Sequence, residues 1–177
     1  MQITALSIMS QCDLFQGCSM QNQQLIATAL QFSTYAPGAT ILPVDHSERA
    51  LWIVLSGQCK VVVHTQAGIE IELAQLSPAS IFGELSFFAP VAHRVSVIAK
   101  SDVQVALLQR EVFDTLSATK VALAHQLTCN AASILARRLH RMDELICRTA
   151  VEARIAHQSE WQEFCQLMHT VPLEKRS

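Results

Sequence analysis

Charge is scarce in this chain of 177 residues: Asp, Glu, Lys and Arg make up 16% of it, and the first 48 positions hold no Lys or Arg. With a formal net charge of −2, the chain lacks the overall basicity that draws a protein to nucleic acid. Also missing is any apolar run approaching the roughly 18 residues of a membrane span. Met1 to Ser10 is uncharged and interrupted by Gln2, Thr4 and Ser7, so a secretory leader is not expected. A cytoplasmic protein with no membrane contact and no direct nucleic-acid contact is the expectation. Neither CxxC nor HxH occurs. The six cysteines, Cys12, Cys18, Cys59, Cys129, Cys147 and Cys165, are spread as buried reduced thiols would be, not as a disulfide framework or a cluster site. A cupin-like metal enzyme would need clustered ligands, and His46, His64 and His93 are scattered. No metal and no cofactor is expected.

Half of the residues are apolar, enough for one domain with an appendage. From Met20 to Phe32 apolar residues recur near helical spacing, ending at Tyr35-Ala36-Pro37-Gly38, which predicts a short leading helix. Between Thr40 and Leu108 the texture changes to short β-rich runs, 51–55, 60–63, 69–73, 95–99 and 103–108. They are separated by Ser56-Gly57, Ala67-Gly68 and Ser77-Pro78. Few helices intervene, so the fold class is mainly β with flanking helices, an antiparallel roll of jelly-roll type.

Beyond Arg110 the pattern is helical over 111–117 and again over about 120–157. Leu135, Leu139, Met142 and Ile146 form a seam at spacings of four, three and four. That seam suits either a homodimer contact or packing on the chain's own barrel. Five Arg between Arg137 and Arg154 alternate with Asp143, Glu144 and Glu152; they read as a solvated face or as an anion or nucleic-acid patch. Trp161, Phe164, Leu167 and Met168 form a further stripe before Pro172, a surface for a protein partner. The expected division is 1–118, helices and barrel, and 119–177, a helical arm.

The most informative segment runs from Phe82-Gly83-Glu84-Leu85 to His93-Arg94-Val95 and on to Ala99. It resembles the phosphate-binding cassette of the cyclic nucleotide-binding family, found in catabolite-activator-type regulators and cAMP-dependent kinase regulatory subunits. The resemblance extends from Leu14 to Ile146 through Leu14-Phe15, Tyr35-Ala36-Pro37-Gly38, Leu51-Trp52-Ile53-Val54-Leu55-Ser56-Gly57 and Ala136-Arg137-Arg138-Leu139. It implies a β-roll with a long dimerisation helix and a cAMP or cGMP ligand. In such a cassette a short helix aims backbone N–H groups at the cyclic phosphate, and Gly83 lets the backbone approach the ligand. Glu84 then accepts from a ribose hydroxyl, or alternatively caps the helix.

The departures bear on function. Counting back from Ala99, the family's phosphate-binding Arg falls on His93, with Arg94 one residue later; counting forward from Glu84 gives nine residues to His93, as in the kinase subunits, or ten to Arg94, as in the activators. Alternation along a strand makes His93 inward and Arg94 outward. A histidine is mostly neutral at pH 7 and lacks the bidentate guanidinium. Asp45 and Ala79 stand where turn glycines are usual. The family's base-contacting pair falls on Met142 and Asp143; Met142 can only pack, whereas Asp143 reads as an amine acceptor or an exposed helix acid. Two functions remain: a regulatory sensor of a cyclic nucleotide acting through its C-terminal helix, or a degenerate barrel serving as a dimerisation or interaction scaffold. Neither is an enzyme. Only 31 residues follow Ile146, too few for the family's winged helix-turn-helix, which needs roughly 60.

Overall fold

The run Ala50-Leu51-Trp52-Ile53-Val54-Leu55 contains no polar residue, so a strand made from it must be covered on both faces. It is: the strand Ala50–Ser56 is buried from Ala50 to Leu55. The computed structural model describes residues 2–65, 68–152 and Gln166. In order come α1 (Gln2–Met9), a 3-10 turn (Asp13–Phe15), α2 (Met20–Ala29), β1 (Gln31–Tyr35), β2 (Thr40–Leu42), β3 (Ala50–Ser56), β4 (Cys59–His64), β5 (Glu70–Leu76) and β6 (Ile81–Phe82). They are followed by α3 (Glu84–Phe88), β7 (Ser96–Ala99), β8 (Val103–Gln109), α4 (Arg110–Thr119) and α5 (Val121–Glu152).

Two antiparallel sheets form the β-roll, one ordered β1-β8-β3-β6 and the other β2-β7-β4-β5. Because side chains alternate along a strand, β3 and β8 serve two cores. Ala50, Trp52, Val54, Val103 and Val105 point into the roll, where they meet Leu42, Cys59, Phe82 and Val97. Leu51, Ile53, Leu55, Ala106 and Leu108 point outward onto the helices. Each fully buried aliphatic of this kind contributes about 1.5–3 kcal/mol.

The leading helix is shorter than its periodicity predicts. It stops at Ala29, and Phe32 lies in β1, paired with Ala106 of β8. Ser19 caps it, accepting from the Asn22 amide at 3.3 Å.

The described chain divides into two compact units, Met1–Ile134 and Leu135–Ser177. The division falls inside α5, not at its start. Leu123, Ala124, Leu127, Ala131 and Ile134 sit in the helical core with Met9, Phe15 and Ile26. Asn130 reinforces this seat by donating to the carbonyls of Leu14 and Gln16, both at 2.8 Å. In the second unit, Leu139 and Met142 of the predicted seam are 47% and 55% exposed. The stripe from Trp161 to Met168, Cys165 and the helix end beyond Glu152 lie outside the described residues.

The thiols divide too. Cys12 and Cys59 are buried, and burial pushes the Cys12 thiol up to about 11. Cys129 and Cys147, against the expectation of packed cysteines throughout, are exposed on α5. Among the described residues no helix is long and apolar enough to cross a membrane. No group of three or more His, Cys, Asp or Glu among them is placed to hold a metal ion.

Candidate ligand-binding site

The cassette is built on a tight bend. Gly83 has φ 82, a left-handed conformation that side chains disfavour, and precedes α3. The reason for glycine differs from the one the sequence suggests. A Cβ there would lie 2.5 Å from the Trp52 ring and 2.6 Å from the Ala50 carbonyl oxygen. The space is filled by the protein's own β3, and Trp52 in turn stacks on Phe82 at 5.5 Å.

Glu84 opens α3 and is 6% exposed, a carboxylate held inside the fold. Leu85, the next residue, is 63% exposed. Ser86 and Phe87 turn inward again. Two guanidinium groups grip the carboxyl end of this short helix. Arg49 donates to the Ser86 and Phe87 carbonyls at 3.2 and 3.0 Å, and Arg110 donates to the Phe87 carbonyl at 3.0 Å. Arg110 also lies over the rings of Phe87 and Phe113 and donates to Asp114. Nothing in the local sequence signals this grip, since Arg49 comes from the segment before β3.

His93 and Arg94 lie in the loop before β7, which begins at Ser96, and not on the strand itself. Their exposures still differ as inward and outward neighbours would: His93 is 7% exposed and Arg94 is exposed. The loop is fixed by backbone bonds, Asp45 N–H to the His93 carbonyl at 2.8 Å and His93 N–H to the His46 carbonyl at 3.3 Å. His93 Nε2 lies 2.9 Å from Ser86 Oγ and 3.4 Å from the Glu48 carbonyl. Burial lowers the imidazole below its ordinary 6.5; the Glu48 carbonyl, Glu84 and the Glu48 side chain oppose that effect, and His46 adds to it.

The structure therefore brings Phe82, Gly83 and His93 to Trp52, whose ring centroid is 6.2 Å from that of His93, and sets Ser86 against His93, on which Glu84 also acts electrostatically. Leu85 and Arg94 face outward, and Val95 is half-buried. Met142 and Asp143 are exposed residues of the second unit. Ser86 was not among the residues the sequence singled out. A separate hollow of about 420 Å³ lies against the second sheet, lined by Lys60, Glu70, Glu72, Ile98 and Lys100 among others. It contains no cassette residue, and its charges pair with one another, Lys60 with Glu70 and Lys100 with Glu72.

Residues 32–120, half of the chain, match the family model described as "Cyclic nucleotide-binding domain". The chain belongs to that family. It is 32% identical over 142 residues to the Cyclic AMP receptor protein of Thermus thermophilus, an alignment covering 80% of this chain and 64% of that protein. Over 103 residues it is 29% identical to a cAMP-dependent protein kinase regulatory subunit of Colletotrichum orbiculare, covering 58% of this chain and 26% of that one. The chain thus spans less than two thirds of either relative, the one a receptor protein and the other a regulatory subunit by name. A solved cyclic nucleotide-binding domain from Methylobacillus flagellatus KT shares the fold, with a TM-score of 0.74 at 18% identity over 84% of this chain and 83% of that one.

Proposed function

We propose that this chain is a regulatory module, not an enzyme, that binds a cyclic mononucleotide, cAMP or cGMP, and passes occupancy to α5. The observation that carries this reading is the Gly83–Glu84 bend with its buried carboxylate beside the buried His93. Glu84 accepts from the ribose hydroxyl, and His93 meets the cyclic phosphate where relatives would use a guanidinium. Ligand binding would favour one seating of α5 over another, a population shift that needs no chemistry on the ligand. The apolar residues Leu139 and Met142 then serve a homodimer through residues 120–157. The expected setting is cytoplasmic.

Calorimetric titration with cAMP and cGMP tests this reading. Weak binding by the native chain and tighter binding by His93→Arg are expected, because a guanidinium restores the bidentate contact. Affinity lost in Arg94→Ala but kept in His93→Ala would move the phosphate contact to Arg94. A second reading, a degenerate barrel acting as a dimerisation or protein-interaction scaffold, is favoured by the neutral His93 and the outward Arg94. Absence of binding by both native chain and His93→Arg would select it.

A further inference from the structure

The hydroxyl of Ser86 has one proton and several neighbours. Its Oγ lies 3.1 Å from the Gly83 carbonyl, 3.3 Å from the Glu48 carbonyl and 2.9 Å from His93 Nε2. His93 Nε2 also lies 3.4 Å from the Glu48 carbonyl, and because a carbonyl only accepts, Nε2 carries the proton of the neutral ring; Ser86 Oγ then accepts from Nε2–H and donates to the Gly83 or Glu48 carbonyl. This arrangement fixes the neutral tautomer of His93 and leaves the lone pair on Nδ1. Among the described residues Nδ1 has no hydrogen-bond partner. It is the ring atom left to take a proton.

The charged groups around the ring come from two elements besides its own loop. Glu84 lies on α3, while His46 and Glu48 lie in the segment leading to β3. Arg49, from the same segment, is committed to the carbonyls of α3, and the chain neighbour Arg94 is exposed. No fixed cation is thus assigned to a ligand. An arriving anion would add to the two carboxylates in favouring imidazolium, against the burial that keeps the ring neutral.

We infer that the site takes its anionic ligand together with a proton, captured from solvent at Nδ1 of His93, so that the chain reads ligand and acidity jointly. The inference rests on the cyclic-nucleotide reading above. A cyclic phosphodiester keeps a single negative charge throughout the neutral range, so any proton exchanged on binding belongs to the protein.

The test is calorimetry of the full chain with cAMP at about pH 6 and about pH 8, in buffers of different ionisation enthalpy. Observed heats should vary with the buffer as expected for uptake approaching one proton. Affinity should weaken by about tenfold or more between the two pH values. With His93→Arg, whose charge does not titrate, binding should persist at both pH values with no proton uptake. Adenosine, the uncharged control, should show no uptake. Native cAMP binding of equal strength at both pH values, without proton uptake, overturns the inference and leaves the cyclic-nucleotide reading standing. Absence of cAMP and cGMP binding at both pH values, in the native chain and in His93→Arg alike, overturns both.

Discussion

The carboxyl end of α3 meets two guanidinium groups, Arg49 and Arg110, whereas the loop before β7 brings a single imidazole, His93, against the same helix. The first pair stays charged at any physiological pH and is committed to backbone carbonyls and aromatic faces. The imidazole is buried, and that burial lowers its pKa below the ordinary 6.5. Permanent charge holds the frame, and the titratable group is the one placed beside the buried carboxylate. A phosphate-binding site with a fixed guanidinium would reverse this division.

The largest effect should come from the bend that joins the two regions. Gly83→Ala forces a methyl group into the Trp52 ring and the Ala50 carbonyl at a left-handed φ. A loss of about 3 kcal/mol or more in denaturant unfolding is expected. Arg110→Ala comes next. It removes a donor to Phe87, the pair with Asp114 and the cover over two rings, and should cost about 2 kcal/mol. If it instead left stability unchanged and abolished cAMP binding, the assignment of fixed charge to the frame would be wrong.

A smaller effect belongs to His93. Its folded-state value lies below the ordinary 6.5, so the unfolded chain binds more protons and stability rises with pH through that window. The contribution is present above 6.5 and is lost as pH falls through the folded-state value. His93→Gln should flatten this part of a melting-temperature profile, and an unchanged slope would show that the ring is not the group that titrates. The least effect is expected at Arg94, which is exposed. Arg94→Ala should shift unfolding by no more than about 0.5 kcal/mol.

The strands most visible in the sequence are those with the strongest physical signal. A six-residue apolar run such as Ala50 to Leu55 can hardly be anything but a strand covered twice. Gln31-Phe32-Ser33-Thr34-Tyr35 is mostly polar and follows α2 without a breaker, so its first two residues read as the end of the helix and the rest shows no strand signal. The pair Ile81–Phe82 is too short to show a period. Asp45 and Ala79, marked in the sequence as replacing turn glycines, both adopt positive φ, 60 and 69; the turns keep their shape and the side chains bear the strain. At the site, the opposite exposures of His93 and Arg94 were legible from counting. The contacts of Ser86 with His93 and of Arg49 with α3 were not. The latter join residues 37 and 38 apart, a distance over which local pattern carries no information.

Asn130, clasping the carbonyls of Leu14 and Gln16, makes the leader and the upstream half of α5 a single mechanical piece. A reporter dye near Leu14 would therefore follow the first turns of α5, and moving those turns means carrying this segment along or breaking those two bonds. Pruning the residues around Leu14 and Gln16 would remove both carbonyls and loosen the seat of Leu123 to Ile134 in the helical core.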